Sequence, residues 1–286
     1  MAIELASKYD AEIISADSRQ IYKNMTIGTA QPDNEEMKGI HHHFISELNP
    51  DENFSAGEFQ KQANDRIKNI ILKGKNIIVV GGSGLYISAL RDGIADIPKS
   101  DEIRQQLLDR LETEGNEKLF NELEKIDPDA SKTMDSTKSQ RLIRALEVYY
   151  FTGKPISEWH KSQTYQFNYP NLTIGLFAER DLLYDRINRR VDLMINQGLV
   201  DEVNHLLSLG YDRTCNALKT VGYDEIFDFL EGQYSLDEAI DKIKQHTRNY
   251  AKRQLTWFRH DAKIQWLDIS DEKYQEKAET LWKRSR

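Results

Sequence analysis

Four polar residues follow a short apolar run near the beginning of the chain. Residues 12–16 read as a buried strand, and directly after it come Asp17, Ser18, Arg19 and Gln20. Open α/β sheets place their ligands at the carboxyl ends of strands. A carboxylate there can accept a proton, while Arg and Gln offer paired donors and acceptors that suit phosphates and base edges. Asp17 could instead cap the following turn, and the other three could be ordinary solvated loop residues.

A glycine-rich segment follows a second apolar run. Residues 81–86 read Gly-Gly-Ser-Gly-Leu-Tyr and come directly after residues 76–80, which read as a strand. Glycine lets a ligand or another backbone approach closely, and the hydroxyl of Ser83 can hydrogen-bond a phosphate or a nucleotide. A tight turn without a ligand would use the same residues, so this segment indicates a binding site only together with Asp17.

Three polar residues lie on a predicted helix whose other residues are mostly apolar. Gln140, Arg141 and Arg144 alternate there with Leu142 and Ile143. Arg141 and Arg144 are three residues apart and therefore share a face, which could bind the backbone of an RNA. The alternative is a solvated cationic stripe.

A second arginine pair, Arg186 and Arg190, has a spacing of four on another predicted helix. Both side chains point the same way and could together bind an anionic group such as a phosphate. Salt bridges to Asp185 or Asp192 are the alternative. The sequence does not distinguish which arginine reaches a ligand.

Apolar, β-branched runs predict the strands that position these residues. They lie at residues 12–16, 76–80 and 172–178, with a further candidate at 263–269. Between the first two, Ser55 and Glu58 have the spacing of a capping box. The helix that they begin carries an apolar face and ends at Gly74; the face comprises Phe59, Ala63, Ile67, Ile70 and Ile71. Because strands and helices alternate, we predict a mostly parallel α/β sheet flanked by helices.

The middle of the chain has only helical spacing. It extends from about Pro98 to Trp159, and further helices are predicted at 181–197, 199–209 and 235–259. This pattern divides the chain into an α/β core with C-terminal helices, residues 1–97 and 160–286, and an all-helical insertion domain, residues 98–159.

Composition excludes several classes of protein. The single cysteine, Cys215, excludes an internal disulfide framework. No apolar run reaches the roughly 20 residues of a membrane span, and there is no signal-peptide pattern, so we expect a cytoplasmic protein. The net charge of -8 gives no overall sign of nucleic-acid binding, which would need a local basic face. The last long predicted helix offers one, with Lys242, Lys244, Arg248, Lys252, Arg253 and Arg259.

The run His41-His42-His43 suggests a metal site at first sight. Consecutive histidines point apart in any regular structure, and no cysteine or carboxylate set completes a site. We therefore predict no metal held by protein ligands alone.

Three segments together resemble the bacterial tRNA dimethylallyltransferases, also called tRNA isopentenyltransferases. They are Asp10 to Tyr22, residues 81–86, and Gln140 to Glu147, and the resemblance extends from the first residue to about Asp268. It implies a P-loop-NTPase-like α/β fold with a helical insertion. The implied reaction transfers a dimethylallyl group from dimethylallyl diphosphate to the N6 amine of the adenosine 3′-adjacent to the anticodon in tRNA. The implied partners are the tRNA anticodon stem-loop and that diphosphate, with Mg²⁺ bridging the diphosphate oxygens, and we expect a monomer.

The resemblance also implies roles for individual residues. Asp17 matches the general base of the family, and Ser18, Arg19 and Gln20 match residues that line the pocket for the tRNA adenine. Further tRNA contacts are implied at Ser83, Arg104, Gln140, Arg141, Leu142, Ile143, Arg144, Lys219, Thr220, Val221, Gly222, Tyr223 and Asp224. We expect Arg186 and Arg190 to bind the diphosphate.

One element of the family pattern is absent from the sequence. The family has a phosphate-binding loop, Gly-Pro-Thr-x-x-Gly-Lys-Thr, directly before a segment that matches Met1 to Ala6. We therefore expect the native protein to be longer by roughly 10 to 20 residues, enough for one strand and the loop. We also expect the chain as written to have greatly reduced or no activity.

Three other functions stay open at this point. A prenyltransferase acting on free adenine nucleotide would not need the helical insertion. A non-catalytic tRNA-binding relic would follow from the absent loop. A small-molecule P-loop kinase shares the fold pattern but leaves residues 17–20 unexplained.

Overall fold

The computed structural model describes residues 1–162, 165, 167 and 169–284. Its strands are β1 (Ala11–Ser15), β2 (His42–His43), β3 (Asn76–Val80), β4 (Thr173–Phe177) and β5 (Ile264–Asp268). Its α-helices are α1 (Ala2–Lys8), α2 (Asn34–Met37), α3 (Ala56–Leu72), α4 (Gly84–Asp92), α5 (Asp101–Glu114), α6 (Asn116–Ile126), α7 (Pro128–Ser131), α8 (Ser139–Thr152), α9 (Ile156–Lys161), α10 (Arg180–Asn196), α11 (Leu199–Ser208), α12 (Tyr223–Leu230), α13 (Leu236–Arg259) and α14 (Tyr274–Arg284). A 3₁₀ turn lies at Asn216–Leu218.

The chain forms two compact units. One unit comprises Met1–Ser88 and Asn168–Arg286, and the other comprises Ala89–Phe167. The first holds all five of the strands named above, and the second holds α5 to α9 and no strand among its described residues.

The central strand of the first unit is β1. It pairs in parallel with β2 on one side and with β3 on the other, and all five of its residues are buried. The amide of Ala16 donates to the carbonyl oxygen of Val80 over 2.7 Å, so the pairing continues one residue past β1. This extra bond accounts for the one-residue offset from the predicted strand at 12–16. It also brings the carboxyl ends of β1 and β3 together.

The remaining strands form a sheet of their own. β4 and β5 pair in parallel, and within the described residues they are not hydrogen-bonded to β1, β2 or β3. The structure thus differs from the single sheet that the alternation of elements predicts. A strand with a neighbour on one side only is less covered than a central one. In agreement, Val79 and Val80 of β3 are 38% and 41% exposed, and Leu176 of β4 is 43% exposed.

Helix α3 begins and ends as its sequence predicts. The amide of Glu58 donates to Ser55 Oγ over 3.2 Å and the amide of Ser55 donates to Glu58 Oε2 over 2.7 Å, which is a complete capping box. Four of the five predicted apolar residues are buried, whereas Ile71 is 41% exposed. After the helix, Gly74 has a φ of 74°, a conformation that glycine adopts without strain.

An aromatic cluster connects α3 to the beginning of α4. The rings of Phe59 and Tyr86 are stacked with centroids 4.5 Å apart, and Phe44 lies 5.1 Å from Phe59. The hydroxyl of Tyr86 donates to the carbonyl oxygen of Phe54 over 3.0 Å. These contacts hold the first turn of α4 and, with it, the glycine-rich segment at 81–84.

Helices α10 and α12 of the first unit pack against α13. The Nζ atom of Lys244 lies 2.6 Å from Asp192 Oδ1, and Arg248 donates to Asn188 Oδ1 over 2.7 Å, which joins α13 to α10. Helices α10, α11 and α13 follow the predicted ranges within one residue at either end. Within the described part of the chain, no helix is long and apolar enough to cross a membrane.

The second unit is built on a leucine-rich core of its own. Leu107 of α5, Leu119 and Leu123 of α6, and Leu142 and Leu146 of α8 are at most 2% exposed. Asp127 connects two of the shorter helices, because its Oδ1 accepts from the amide of Ala130 and its Oδ2 from the amide of Ser157.

Candidate active site

Asp17 lies two residues beyond β1 and shapes the turn that follows. Its Oδ1 accepts the amide of Arg19 over 2.8 Å and the amide of Gln20 over 3.3 Å. Asp17 therefore caps this turn, as the alternative interpretation of the sequence holds. No described hydrogen bond involves Oδ2, and the residue is only partly buried. One oxygen orients the carboxylate while the other can accept a proton from a substrate.

The side chains of Arg19 and Gln20 bind other parts of the protein. Arg19 donates from Nη1 to the carbonyl oxygen of Asn216 over 2.7 Å and from Nη2 to that of Lys219 over 3.3 Å. Gln20 Nε2 donates to the carbonyl oxygens of residues 29 and 30, and Gln20 Oε1 accepts from Ser15 Oγ over 3.2 Å. Both side chains thus fix the shape of the loop around Asp17. Neither the residue types nor their spacing in the sequence indicate that Arg19 and Gln20 hold this loop.

Ser83 joins the ends of β1 and β3. Its amide donates to the carbonyl oxygen of Ala16 over 3.1 Å, and its Oγ accepts the amide of Ser18 over 3.0 Å. Since a hydroxyl can donate as well as accept, the Ser83 proton can still be directed at a ligand.

Each glycine around Ser83 is adjacent to a different part of the protein. A β-carbon at Gly81 would overlap the backbone of Ala16, one at Gly82 would overlap the amide of Gln254, and one at Gly84 would overlap the indole ring of Trp257. The sequence predicts that these glycines admit a ligand. In the structure, the space beside these glycines is filled by the backbone directly after β1 and by side chains of α13.

One face of α13 forms a wall beside these strand ends. Gln254 Nε2 donates to the carbonyl oxygen of Gly82 over 2.9 Å. Tyr250 is 42% exposed, and partial removal of water from its hydroxyl together with the negative charge of Asp17 raises its pKa. Sequence reasoning missed this wall, although the spacing of Tyr250, Gln254 and Trp257, at i, i+4 and i+7, is the signal of a shared helix face.

A groove runs along an adjoining face of α13, and we name it the α13 groove. It has a volume of about 500 Å³ and is lined by Asn249, Lys252, Arg253, Thr256, Trp257 and His260. Trp257 is 46% exposed there. Cationic side chains beside an accessible aromatic ring are typical of surfaces that bind nucleic acid.

Of the two arginines predicted to bind diphosphate, Arg190 has the stronger connection to Asp17. The surrounding protein lowers the pKa of the Arg190 guanidinium by removing water, and the negative charges of Asp17 and Glu36 oppose that change. Arg186 lies one turn earlier on α10, and both arginines are exposed at the surface. The predicted competing partners are engaged elsewhere, since Asp185 pairs with Arg189 and Asp192 with Lys244, each over 2.6 Å.

The segment from Lys219 to Asp224 contains both accessible and buried residues. Lys219 is exposed and Thr220 and Val221 are half-buried, whereas Gly222 and Tyr223 are buried. Burial and the adjacent Glu225 raise the pKa of Asp224. Tyr223 is 0% exposed, so its side chain supports the segment and does not reach a ligand.

Two of the predicted tRNA-binding residues of the second unit, Arg104 and Arg144, bind a buried carboxylate that was not among the predicted site residues. Glu147 is 1% exposed and accepts hydrogen bonds from Arg104 Nη1 over 3.2 Å, from Arg144 Nη1 over 2.6 Å and from the amide of Ser100 over 3.1 Å. Arg144 also donates to the carbonyl oxygen of Ile97 over 2.8 Å. Both arginines therefore stabilise a buried charge.

The other predicted residues on α8 divide into an exposed and a buried pair. Gln140 and Arg141 are exposed. Leu142 and Ile143 are 0% and 1% exposed and belong to the core of the second unit. Both side chains are enclosed by other apolar residues, and a tRNA contact at these two positions stays a prediction.

The histidine run does come close to a carboxylate. Ligand atoms of Glu12, His41 and His43 lie within 4.8 Å of one another, because residues two apart on an extended chain share a face. Adjacent histidines point apart, whereas His41 and His43 lie on the same face. Lys73 and Lys75 each place Nζ 3.4 Å from Glu12 Oε1, and His43 Nε2 lies 2.9 Å from Glu12 Oε2. Since these groups already satisfy the carboxylate, we assign no metal here.

Sequence comparison connects this geometry to known proteins. The family model described as IPP transferase matches residues 20–261. The chain is 45% identical over 281 residues to the tRNA dimethylallyltransferase of Thermoanaerobacter sp. (strain X514), with 96% of this chain and 89% of that protein covered. It is 48% identical over 275 residues to the tRNA dimethylallyltransferase of Alkaliphilus oremlandii, with 94% and 87% covered.

Solved structures give the same result. The tRNA delta(2)-isopentenylpyrophosphate transferase of Staphylococcus epidermidis matches with a TM-score of 0.71 and 40% identity, over 99% of this chain and 94% of that one. A eukaryotic dimethylallyltransferase acting on tRNA matches with a TM-score of 0.81 and 28% identity, over 98% and 73%.

These similarities confirm the resemblance inferred from the motifs at 10–22, 81–86 and 140–147. They also confirm the predicted fold class, a P-loop-NTPase-like α/β core with a helical insertion. None of the four proteins is named as a kinase, an adenine-nucleotide prenyltransferase or a non-catalytic protein. The chain therefore belongs to the IPP transferase family, and the relatives that it matches are transferases named for their action on tRNA.

Proposed function

We propose that this protein transfers a dimethylallyl group from dimethylallyl diphosphate to the exocyclic N6 amine of the adenosine 3′-adjacent to the anticodon in tRNA. Membership of the family supports the reaction. The observation that carries the proposal is the position of Asp17, which is held through Oδ1 by two amides at the end of β1 while no described hydrogen bond engages Oδ2.

Asp17 acts as the general base in this proposal. The N6 amine is a poor nucleophile, so it must lose a proton as it attacks the first carbon of the allyl group. A bond forms between N6 and that carbon, the bond from the carbon to the diphosphate oxygen breaks, and the proton passes to Asp17. The fixed Oδ1 keeps the carboxylate oriented, which favours a reactive geometry.

The leaving diphosphate needs positive charge and hydrogen-bond donors. Arg190 and Arg186, which are four residues apart on α10 and share a face, supply two guanidinium groups. Ser83 directly precedes α4, whose N-terminal amides favour an anion. We assign diphosphate binding to these groups, with Arg190 as the principal contact.

Mg²⁺ fits the oxygen donors at these strand ends. The hydroxyl of Ser18 is a hard donor next to the position assigned to the diphosphate, and Mg²⁺ favours few protein ligands together with phosphate oxygens and water. Ser18 would hold the ion, which leaves Asp17 available as the base. When bound, the ion would offset the negative charge that develops on the departing diphosphate.

We assign tRNA binding to residues of each unit by itself. In the first unit we assign this binding to the α13 groove and to the accessible residues of the 219–224 segment, because both combine positive charge with exposure. In the second unit we assign it to Gln140 and Arg141, with Arg104 and Arg144 shaping the surface. The helical insertion is thus a tRNA-contacting domain, and we propose that the protein acts on tRNA in the cytoplasm as a monomer.

The proposed reaction is tested with labelled dimethylallyl diphosphate and three acceptors. These are an unmodified anticodon stem-loop with adenosine at the 3′-adjacent position, the same stem-loop with guanosine there, and free AMP. We expect label to be transferred to the first acceptor only. Such transfer would also overturn the expectation, drawn from the sequence, that the chain has greatly reduced or no activity. Label on AMP would favour the adenine-nucleotide enzyme, and no transfer despite stem-loop binding would contradict the proposed function.

A further inference from the structure

Glu202 of α11 is bound by two separate parts of the first unit. Its Oε2 accepts from the amide of Ile27 over 2.7 Å and from Thr26 Oγ1 over 3.1 Å. Its Oε1 accepts from the amide of Gly28 over 3.0 Å and from the hydroxyl of Tyr223 over 2.6 Å. One carboxylate thus connects the 26–28 loop to the first residue of α12.

The contact between Gly28 and Tyr223 reinforces this connection. A β-carbon at Gly28 would lie 2.5 Å from the Tyr223 ring, so the loop backbone rests directly on the aromatic face. Burial raises the pKa of Tyr223, as does the adjacent Glu202, and the hydroxyl therefore remains a proton donor. Tyr223 matches the family motif at 219–224, yet its position indicates a supporting role.

The 26–31 loop is in turn bound to the turn that contains Asp17. Gln20 Nε2 donates to the carbonyl oxygens of Thr29 and Ala30 over 3.2 and 3.0 Å. In the opposite direction, Gln31 Nε2 donates to the carbonyl oxygens of Gln20 and Tyr22, each over 2.8 Å. Two pairs of bonds therefore transmit the position of the loop to residues 17–22.

We propose that Glu202 is a positioning residue for Asp17, a role that rests on the proposed function. It touches neither the substrate nor the reacting atoms. It binds residues 26–28 of the 26–31 loop, and residues 29–31 of the same loop bind the turn that orients Asp17. Displacing a catalytic group by about 1 Å can lower the reaction rate about 100-fold. Loss of the indirect support from Glu202 should therefore slow catalysis.

The variant Glu202→Gln tests this role because it keeps the shape of the side chain. Each Glu202 oxygen accepts two hydrogen bonds, and the amide nitrogen of glutamine would face two donors whichever way it is turned. The control is Asp201→Asn, which changes the charge equally on the exposed neighbouring residue of α11. Tyr223→Phe removes only one of the four bonds and keeps the ring beneath Gly28.

We expect Glu202→Gln to lower kcat by about 10- to 100-fold relative to Asp201→Asn. The KM values for stem-loop and diphosphate should stay within about threefold, because Glu202 contacts neither substrate. The kcat of Tyr223→Phe should lie between those of Glu202→Gln and Asp201→Asn. A kcat equal to that of the control, or a loss that disappears after correction for the folded fraction, would overturn the proposal.

A second readout does not depend on activity. Hydrogen–deuterium exchange reports the opening of the amides of Arg19 and Gln20, which are bound to Asp17. We expect Glu202→Gln to speed their exchange by about tenfold relative to Asp201→Asn, since a bond to a charged group contributes about 1.5 kcal/mol or more. Unchanged exchange at 19–20 would overturn the positioning role even if the enzyme were inactive for another reason. Faster exchange in a protein without transfer activity would instead contradict the proposed function alone.

Discussion

At the scale of single residues, the two oxygens of Asp17 have different partners. Oδ1 accepts two amides of the following turn, and no described bond engages Oδ2. The sequence allowed either a turn-capping residue or a proton acceptor. The geometry permits both at once, because a carboxylate has four lone-pair positions and the turn uses two of them.

Of the two arginines predicted to bind the diphosphate, Arg190 is the one whose pKa responds to the charge of Asp17. We expect Arg190→Gln to raise the KM for dimethylallyl diphosphate by about 10- to 100-fold, since a hydrogen bond to a charged group contributes about 1.5–3 kcal/mol. The measurement is steady-state kinetics at saturating stem-loop.

Arg189→Gln is the matched control for that variant. Arg189 is 76% exposed in side chain and pairs with Asp185, so the KM should change little. Equal effects at 189 and 190 would show that the loss comes from charge in general and not from a contact with the diphosphate.

At the scale of elements, the glycines of the 81–84 segment are needed because other parts of the protein pack closely against them. A sequence predicts a turn at residues 81–84 but not which backbone or side chain approaches each glycine. The strand β1 and the helix α13 that do so are separated from the segment by about 65 and 170 residues respectively. Local patterns therefore predict the element, and only the fold supplies its partners.

Alanine substitutions at these glycines should differ in their effect on stability. We expect Gly81→Ala to lower the free energy of unfolding most, by about 3 kcal/mol or more, because it would overlap the backbone of Ala16. Gly84→Ala should cost about 1–3 kcal/mol, because the Trp257 ring can shift. Gly82→Ala meets the flexible end of Gln254 and should cost least of the three. Urea unfolding measures all of them.

Gly57 in the first turn of α3 provides the control for this series. A β-carbon there would make an ordinary contact at 3.9 Å with Ser55 Oγ, so Gly57→Ala should leave stability unchanged or raise it by up to about 1 kcal/mol. A series in which Gly81→Ala is as stable as Gly57→Ala would contradict the packing described for β1 and β3.

The junction between α3 and the 44–47 loop should make stability depend on pH. Burial opposes ionisation of Glu47, but the hydrogen bond from Arg66 and the amide of Phe44 lower its pKa below the ordinary 4.5. Arg66 donates to both oxygens of Glu47 over 2.6 and 2.7 Å. A carboxyl whose pKa is lower in the folded state stabilises the protein above the ordinary value, and that contribution is lost as the pH falls further.

The variant Glu47→Gln should therefore be less stable than the wild type at pH 7 and approach it as the pH falls below 4.5. Urea unfolding at several pH values measures the difference, with the exposed Glu35→Gln as control. A constant difference between pH 7 and pH 3 would contradict the ion pair as its cause.

At the scale of the whole molecule, net charge and local charge have opposite signs. The protein carries a net charge of -8, yet Lys252, Arg253 and His260 share the α13 groove with an accessible tryptophan. The sequence indicated a basic last helix but could not show that these residues form one surface. Helix ends and the capping boxes at Ser55 and Ser235 were predictable because they depend on neighbours in the chain. The separate sheets were not, because strand pairing depends on distant residues.

The α13 groove should determine the salt dependence of tRNA binding. We expect the double variant Lys252→Ala, Arg253→Ala to bind the stem-loop more weakly and to reduce the slope of log K against log salt by about 1 for each phosphate-binding cation that is removed. Fluorescence anisotropy between low and moderate salt measures it. Lys68→Ala, which removes a positive charge from α3, should leave the slope unchanged.

The central claim is that Asp17 removes the proton from the adenosine amine, and Asp17→Asn tests it most directly. Asparagine keeps an oxygen that can accept the amides of Arg19 and Gln20, so the turn should survive while the base is lost. In a single-turnover assay with bound stem-loop, the account predicts a loss of transfer of about 100- to 10,000-fold with stem-loop affinity unchanged. Transfer by Asp17→Asn at close to the wild-type rate would contradict it.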